Sequence, residues 1–111
     1  MTTTQENLSE TKKHDEVVIP KEAAQKRLKA ISNWSLQENT LVREFVFKDF
    51  IHAMNFVQDV GDVAELENHH PDIYISYNKV KLTLTTHKVG GLTTKDFALA
   101  YKVNVLFENR T

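Results

Sequence analysis

In two short runs in the second half of the chain, largely apolar residues alternate strictly with more polar ones. This alternation constrains the fold more than any other feature. In the first run Ile73, Ile75 and Tyr77 alternate with Tyr74, Ser76 and Asn78, and in the second Val80, Leu82 and Leu84 alternate with Lys81, Thr83 and Thr85. Successive side chains of a strand point to opposite faces of a sheet. The pattern therefore predicts two half-buried antiparallel strands joined around Asn78 and Lys79.

The first half of the chain predicts a helix followed by another pair of strands. Pro20 suits the first turn of a helix. Helical spacing then continues to about residue 32, through Ala24, Leu28 and Ile31. Asn33 is expected to end this helix. Residues 34–36 and 41–47 have the composition of two strands around a turn at 38–40.

Two further helices complete the pattern. Asp49 is a suitable N-cap for a helix that runs to about Asn68, and Thr93 with Asp96 forms the sequence signature of a capping box at the start of the last helix. The predicted order is α-β-β-α-β-β-α. The predicted fold class is α+β, a four-stranded antiparallel sheet with three helices packed on one face.

Length and composition restrict the domain organisation. A chain of 111 residues is expected to form one domain, which we place at residues 16–111. Residues 1–15 are too polar to offset their ordering entropy and are predicted to form a flexible tail. A short induced helix at Ser9 and Glu10 is the alternative.

Charge, hydropathy and cysteine content exclude several classes of function. A formal net charge of −1, with few basic residues beside exposed aromatic ones, argues against nucleic acid and anionic membrane surfaces as partners. No run approaches the roughly 18 apolar residues of a membrane span. The chain contains no cysteine, which excludes disulfides, thiolate metal sites and cysteine nucleophiles and agrees with a cytoplasmic location.

Three of the five histidines lie close to the predicted strand pair. His69 and His70 stand directly before Pro71, at the boundary between a helix and a strand, and His87 follows the strand that begins at Val80. Histidine exchanges protons near neutral pH because its unperturbed pKa is about 6.5. With Asp96 nearby in sequence, the set indicates a site for general acid and base catalysis.

Other interpretations of these residues remain open on spacing alone. His70 can cap the helix C-terminus, His87 can face solvent, and Asp96 can serve only the capping box. Three histidines and a carboxylate also suit a zinc ion, although the sequence has no HxH or HExxH pattern. The frames of a phosphate-binding loop and of a serine nucleophile elbow are absent.

The wider sequence from about Trp34 to Ala100 carries a more specific set of motifs. These are Phe45-Val46-Phe47-Lys48-Asp49-Phe50, Ala53, Phe56, Ala64-Glu65, Asn68-His69-His70-Pro71, Tyr77-Asn78-Lys79-Val80, Thr86-His87, Gly91-Leu92-Thr93 and Asp96. In this combination the region resembles the pterin-4a-carbinolamine dehydratases (4a-hydroxytetrahydrobiopterin dehydratases). One departure is Ile73, where many members of that family have an aromatic residue.

The resemblance implies a function. Members of the family are hydro-lyases that remove water from the 4a-hydroxytetrahydropterin released by aromatic amino acid hydroxylases, and the product is the quinonoid dihydropterin. It also implies a homodimer or homotetramer, with neither a metal nor an organic cofactor. Some relatives act instead as transcriptional coactivators or assembly proteins, and a non-enzymatic interaction protein is therefore the alternative.

The resemblance also implies roles for particular residues. His69, His70 and His87 correspond to the catalytic histidines. Glu65 and Asp96 match acidic positions that can orient an imidazole, and Asp96 is expected to fix the tautomer of His87. The segments expected to contact the pterin or support the site contain Pro71, Thr86, Lys88 and Val89.

Overall fold

The structure is a computed structural model that describes residues 17–110, and it confirms the predicted order of elements. The elements are α1 (Lys21–Leu28), β1 (Ser35–Gln37), β2 (Thr40–Val46), α2 (Phe50–Glu67), β3 (Asp72–Ser76), β4 (Lys79–Leu84) and α3 (Thr94–Glu108). The predicted tail at residues 1–15 lies outside the described residues. Within them, no helix is both long and apolar enough to cross a membrane.

The sheet is antiparallel throughout, with the strand order β1-β2-β4-β3. In the central pair Leu41 lies opposite Leu84 and Phe45 opposite Val80, and all four side chains are buried. The alternate residues of both strands, such as Glu44 and Lys81, are exposed or half-buried. The period of two in the sequence therefore produces one face that the helices cover and one open face.

Aromatic side chains connect the covered face to the helices. The rings of Phe45 and Phe47 both pack on Phe56 of α2, with centroids 4.8 and 5.0 Å away. Phe107 of α3 packs on the same three rings. Aromatic pairs at such distances gain energy beyond the area that they bury. This cluster fixes α2 and α3 on the sheet, and with them the residues at their ends.

A buried polar cluster joins β2 to α3. The side-chain oxygen of Asn104 accepts hydrogen bonds from Trp34 Nε1 at 2.7 Å and from Arg43 Nη1 at 2.5 Å, and its amide nitrogen donates to the carbonyl of Ser32. The Arg43 guanidinium also lies 4.3 Å from the centre of the Phe45 ring. Burial lowers the pKa of Arg43, while the Coulombic attraction of Glu108 acts in the opposite direction.

The bounds of β1 and β2 lie within one residue of the prediction, and two other boundaries differ in a way that affects packing. The first helix ends at Leu28, because residues 29–31 form tighter turns in which Ile31 N–H donates to the carbonyl of Leu28, and Ile31 is nevertheless buried. The turn between β3 and β4 lies at Tyr77 and Asn78, one residue earlier than expected. Asn78 exchanges hydrogen bonds with the backbone of Phe47, which holds the turn against the end of β2.

Candidate active site

The histidine pair leaves the C-terminal end of α2 through a left-handed residue. Asn68 has φ 52° and ψ 43°, and its amide donates to the carbonyls of Ala64 and Glu65, which closes the last turn of the helix. His69 N–H also donates to the Ala64 carbonyl. This is the usual way for a helix to end and for the chain to change direction. Asn68 therefore makes the change of direction between α2 and the histidine pair.

His69 is the buried member of the pair. Its side chain is 10% exposed, and its Nε2 lies 2.5 Å from Oδ1 of Asp96, which is fully buried. Asp96 occupies the third position of α3, where its carboxylate also accepts the backbone N–H of Thr93 at 2.9 Å and completes the capping box predicted from the sequence. The C-terminal end of α2 and the first turn of α3 thus meet through the hydrogen bond between the His69 imidazole and the Asp96 carboxylate.

The pairing of Asp96 differs from the expected one. Asp96 was expected to orient His87, but within the described part of the chain its second oxygen contacts Thr86, whose hydroxyl donates to Oδ2 at 2.8 Å. Thr86 and His87 are neighbours in the segment that follows β4, and their side chains have different surroundings. The Thr86 side chain turns inwards to Asp96, whereas His87 is exposed.

His70 is exposed and makes a different contact. Its Nε2 lies 2.5 Å from Oε2 of Glu65, and the two side chains are 56% and 78% exposed. Glu65 lies in the last turn of α2, and it contacts His70 because Asn68 redirects the chain between them. Water screens a pair of this kind, so it holds the imidazole less firmly than the buried Asp96 holds His69.

His87 begins the turn of residues 87–90, and its side chain has no hydrogen-bonding partner within residues 17–110. The Thr86 amide donates to the Gly91 carbonyl at 3.0 Å and the Val89 amide donates to the Thr86 carbonyl at 3.1 Å, which close the loop. Lys88 is exposed and Val89 half-buried. Because Thr86 bonds to Asp96, the backbone of His87 is one residue away from a residue that contacts the His69–Asp96 pair.

A cavity of about 350 Å³ opens beside His69, and its lining consists of Leu66, Glu67, His69, Thr94, Lys95 and Ala98. Lys95 was not predicted from the sequence as a residue of this region. One feature of the sequence could have indicated it: Lys95 lies in the first turn of a helix, where the helix dipole disfavours a cation. A larger cavity of about 790 Å³ lies elsewhere, between α1 and β1, and contains none of the three histidines.

The structure therefore brings His69 together with Asp96 and Thr86, and it brings His70 together with Glu65. Pro71 is half-buried directly before β3. Among residues 17–110, no group of three or more histidine, aspartate or glutamate side chains is arranged to hold a metal ion. The chemistry available to the arrangement is proton transfer by imidazoles, two of which are oriented by carboxylates.

The fold is an α+β sandwich. At the C-terminal end of α2 it carries two histidines that each contact a carboxylate. The family model described as pterin 4 alpha carbinolamine dehydratase matches residues 18–106. The chain belongs to the pterin-4-alpha-carbinolamine dehydratase family, as the sequence resemblance implied.

Relatives from several bacteria agree with this assignment. A protein of Nostoc punctiforme is 47% identical over 87 residues, which are 78% of this chain and 94% of the relative. A protein of Thermomicrobium roseum is 53% identical over 76 residues, 68% of this chain and 82% of the relative. Both are named, provisionally, as pterin-4-alpha-carbinolamine dehydratases.

Two solved structures are also similar. A transcriptional coactivator/pterin dehydratase from Brucella melitensis superposes with a TM-score of 0.78 at 32% identity, over 81% of this chain and 98% of its own. A pterin dehydratase-like RuBisCO assembly factor of the alpha-carboxysome superposes with a TM-score of 0.55 at 20% identity, over 66% of this chain and 84% of its own. The second likeness concerns the fold alone.

Proposed function

We propose that this protein dehydrates 4a-hydroxytetrahydropterin (pterin-4a-carbinolamine) to the quinonoid dihydropterin and water. The observation that carries the proposal is the buried pair of His69 and Asp96 in a chain of the dehydratase family. Thr86, which bonds to Asp96, is the neighbour of His87 in sequence. His70 with Glu65 adds a second imidazole at the same end of α2.

The reaction requires two proton transfers and no redox step. The 4a-hydroxyl must receive a proton so that it leaves as water, and the neighbouring ring nitrogen must lose a proton so that its electron pair forms the new C=N bond. One protonated imidazole can supply the first proton, while a neutral imidazole accepts the second. The residue types of the site match both requirements.

We assign the accepting role to His69. A carboxylate that is hydrogen-bonded to one ring nitrogen stabilises the positive charge that the ring acquires when its other nitrogen takes a proton. Asp96 is placed for this, at 2.5 Å and away from solvent. His87 is exposed and has no partner in the described region, so it can recover a proton from water after each turnover. We therefore assign the donating role to His87.

The other expected residues receive supporting roles. His70, oriented by Glu65, is proposed to bind the pterin or to relay a proton. Pro71, Lys88 and Val89 are proposed to line the pterin site, because they flank the histidines in sequence and are at least partly exposed.

We also propose an oligomeric state, a location and a pathway, on the basis of the family resemblance. We propose a cytoplasmic homodimer or homotetramer that acts in tetrahydropterin recycling beside an aromatic amino acid hydroxylase. Exposed apolar residues on the helices support self-association; they are Phe50, Ile51, Met54, Leu66, Tyr101 and Val105. Sedimentation of the full chain tests this part, and a monomer at all concentrations would contradict it.

The alternative is an interaction protein on the same scaffold. The name of the Brucella melitensis relative combines coactivator with dehydratase. A stoichiometric partner that the protein retains after His69→Ala and His87→Ala substitution would favour this role. The two functions are compatible with each other.

A stopped-flow measurement tests the proposed reaction. 4a-Hydroxytetrahydropterin is generated in the instrument and its decay is followed with and without the folded protein. We expect faster decay that is proportional to the concentration of protein. A rate equal to that in buffer, with protein whose circular dichroism shows a folded state, contradicts the proposal.

A further inference from the structure

We propose that Thr86 is a positioning residue: its hydroxyl holds the Asp96 carboxylate in the orientation in which Oδ1 meets His69. The carboxylate in turn keeps the proton of that ring on Nε2 and its lone pair on Nδ1. The catalytic consequence of this inference rests on the function proposed above. The tautomer itself does not, because it follows from hydrogen bonds within the protein.

The two oxygens of Asp96 have separate partners. Oδ2 accepts the Thr86 hydroxyl at 2.8 Å and the Thr93 backbone N–H at 2.9 Å. Rotation of the carboxylate would break both bonds in a place that is closed to solvent, since Asp96 is fully buried. Breaking hydrogen bonds without replacement is costly in such a place. Oδ1 is therefore held in the one position where it meets His69.

The hydroxyls of Thr86 and Thr93 form a chain of hydrogen bonds that ends at Asp96. Thr86 Oγ1 and Thr93 Oγ1 lie 2.9 Å apart, and either oxygen could in principle donate. A hydroxyl has one proton to give, and that of Thr86 goes to Asp96. The Thr93 hydroxyl consequently donates to Thr86, while it accepts the Lys95 backbone N–H at 3.3 Å. The protons of this chain of hydrogen bonds all point towards Asp96.

The tautomer of His69 follows from this arrangement. A carboxylate only accepts hydrogen bonds, so the ring nitrogen that faces it must carry a proton. That nitrogen is Nε2, and in the neutral ring the lone pair is then on Nδ1. His69 thus begins a catalytic cycle as a proton acceptor. The family resemblance implied that Thr86 contacts the pterin or supports the site, and in the structure its hydroxyl donates to Asp96.

The test compares Thr86→Val, which keeps the shape but removes the hydroxyl, with Thr86→Ser, which restores it. Thr85→Val is the matched control, because the Thr85 hydroxyl donates to the Asn39 carbonyl and does not contact Asp96. Nitrogen-15 NMR of the histidine rings in the full-length protein reports which ring nitrogen of His69 carries the proton. Kinetics of 4a-hydroxytetrahydropterin decay give kcat and KM. Thr86→Ala takes the place of Thr86→Val if the valine variant does not fold.

We expect His69 of the unsubstituted protein to carry its proton on Nε2. In Thr86→Val the Asp96 carboxylate still faces Nε2, but its Oδ2 keeps only the bond from Thr93 N–H. We therefore expect the Nε2 proton resonance of His69 to broaden and kcat to fall about tenfold with little change in KM, since an imprecisely held imidazole loses part of its contribution. Thr86→Ser and Thr85→Val retain the original spectrum and rate. A proton on Nδ1 in the unsubstituted protein overturns the inference, and so does a Thr86→Val variant with an unchanged Nε2 proton resonance or an unchanged kcat.

The same measurements separate this inference from the proposed function. A protein that does not accelerate the decay, but whose His69 Nε2 proton resonance depends on the Thr86 hydroxyl, would refute the proposed reaction and retain the hydrogen-bond chain. An active protein whose His69 resonance is the same with and without the Thr86 hydroxyl would do the opposite.

Discussion

His69 Nε2 and Asp96 Oδ1 lie 2.5 Å apart although 27 positions of sequence separate the two residues. The contact joins the end of α2 to the first turn of α3, and both helices are fixed on the sheet by the phenylalanine cluster. Asp96 caps its own helix with one oxygen and holds the imidazole with the other. A single buried carboxylate therefore connects the stability of α3 to the geometry of the candidate active site.

Replacement of that carboxylate by an amide should abolish most activity. In Asp96→Asn the Thr93 N–H and Thr86 hydroxyl still require an acceptor, so the amide NH₂ group is turned towards His69 Nε2 and imposes the wrong tautomer. We expect kcat to fall roughly 10²- to 10⁴-fold, the range of general acid–base catalysis. Steady-state kinetics check this, with Asp62→Asn on the surface of α2 as the control. A loss below threefold would contradict the assigned role of Asp96.

Removal of the exposed imidazole should also affect the rate. His87→Ala takes away the proposed proton donor, and we expect kcat to fall by roughly 10²-fold. Stability should hardly change because the side chain is exposed. His52→Ala is the matched control, since the 18 residues of α2 separate its ends by about 27 Å and His52 is at the end away from His69. Equal rates for the two variants would disprove the donor assignment.

The second imidazole–carboxylate pair should matter less than the first. Glu65→Gln weakens the hold on His70, but both side chains are largely exposed and water replaces part of the contact. We expect a loss of activity of tenfold or less, and a change in the free energy of unfolding within about 1 kcal/mol. Kinetics and urea unfolding measure the two quantities. A larger loss than that of Asp96→Asn would indicate that His70, rather than His69, accepts the proton.

The sequence predicted the helices and strands well, because each of them shows the residue spacing or the capping residue that is typical of its kind. The alternation before and after Asn78 predicted the β3–β4 pair, and the spacing of Thr93 and Asp96 predicted the capping box that the structure contains. The helix that begins after Asp49 was found from its cap, which accepts the His52 N–H.

Contacts between distant elements were less predictable. Asp96 was expected beside His87, which is nearer in sequence, but the packing of α3 against α2 presents its carboxylate to His69. The position of His70 depends on the left-handed conformation of Asn68, and the spacing of apolar residues along the sequence does not reveal that conformation. The roles of the site residues themselves remain predictions that kinetics must test.

The cap of α2 should make stability depend on pH in acid. The hydrogen bonds from the His52 side chain and backbone lower the pKa of Asp49. A depressed pKa means stabilisation that is complete above the unfolded value, about 3.9, and is lost as pH falls through the lower folded value. Asp49→Asn keeps a capping acceptor without titrating.

The thermal midpoint of the Asp49→Asn variant should therefore lie below that of the unsubstituted protein above about pH 5 and approach it in stronger acid. Thermal unfolding followed by circular dichroism at a series of pH values measures the difference. His52→Ala, which removes the side-chain partner but keeps the backbone bond, should reduce the dependence. A difference that grows as the pH falls would contradict the expected sign.

The buried cluster around Asn104 should contribute to stability without affecting catalysis. Asn104→Ala removes the oxygen that accepts from Trp34 and Arg43. It leaves Trp34 Nε1 without a partner and Arg43 Nη1 with only the 3.5 Å bond to the Ser32 carbonyl. The lost and weakened bonds cost about 1–3 kcal/mol each, so we expect the free energy of unfolding to fall by about 3 kcal/mol. Asn109→Ala at the exposed end of α3 is the control, and the kcat of both variants should be unchanged.

A double-mutant cycle distinguishes the lost hydrogen bonds from a simple loss of packing. Trp34→Phe deletes one of the donors, so in its presence Asn104→Ala leaves only the Arg43 guanidinium without the amide oxygen. The double variant should be more stable than the sum of the single losses predicts, by about 1 kcal/mol, because contacting residues are not additive. Urea unfolding of the four proteins gives this coupling. Strict additivity would mean that the cavity, and not the unpaired indole N–H, causes the instability of Asn104→Ala.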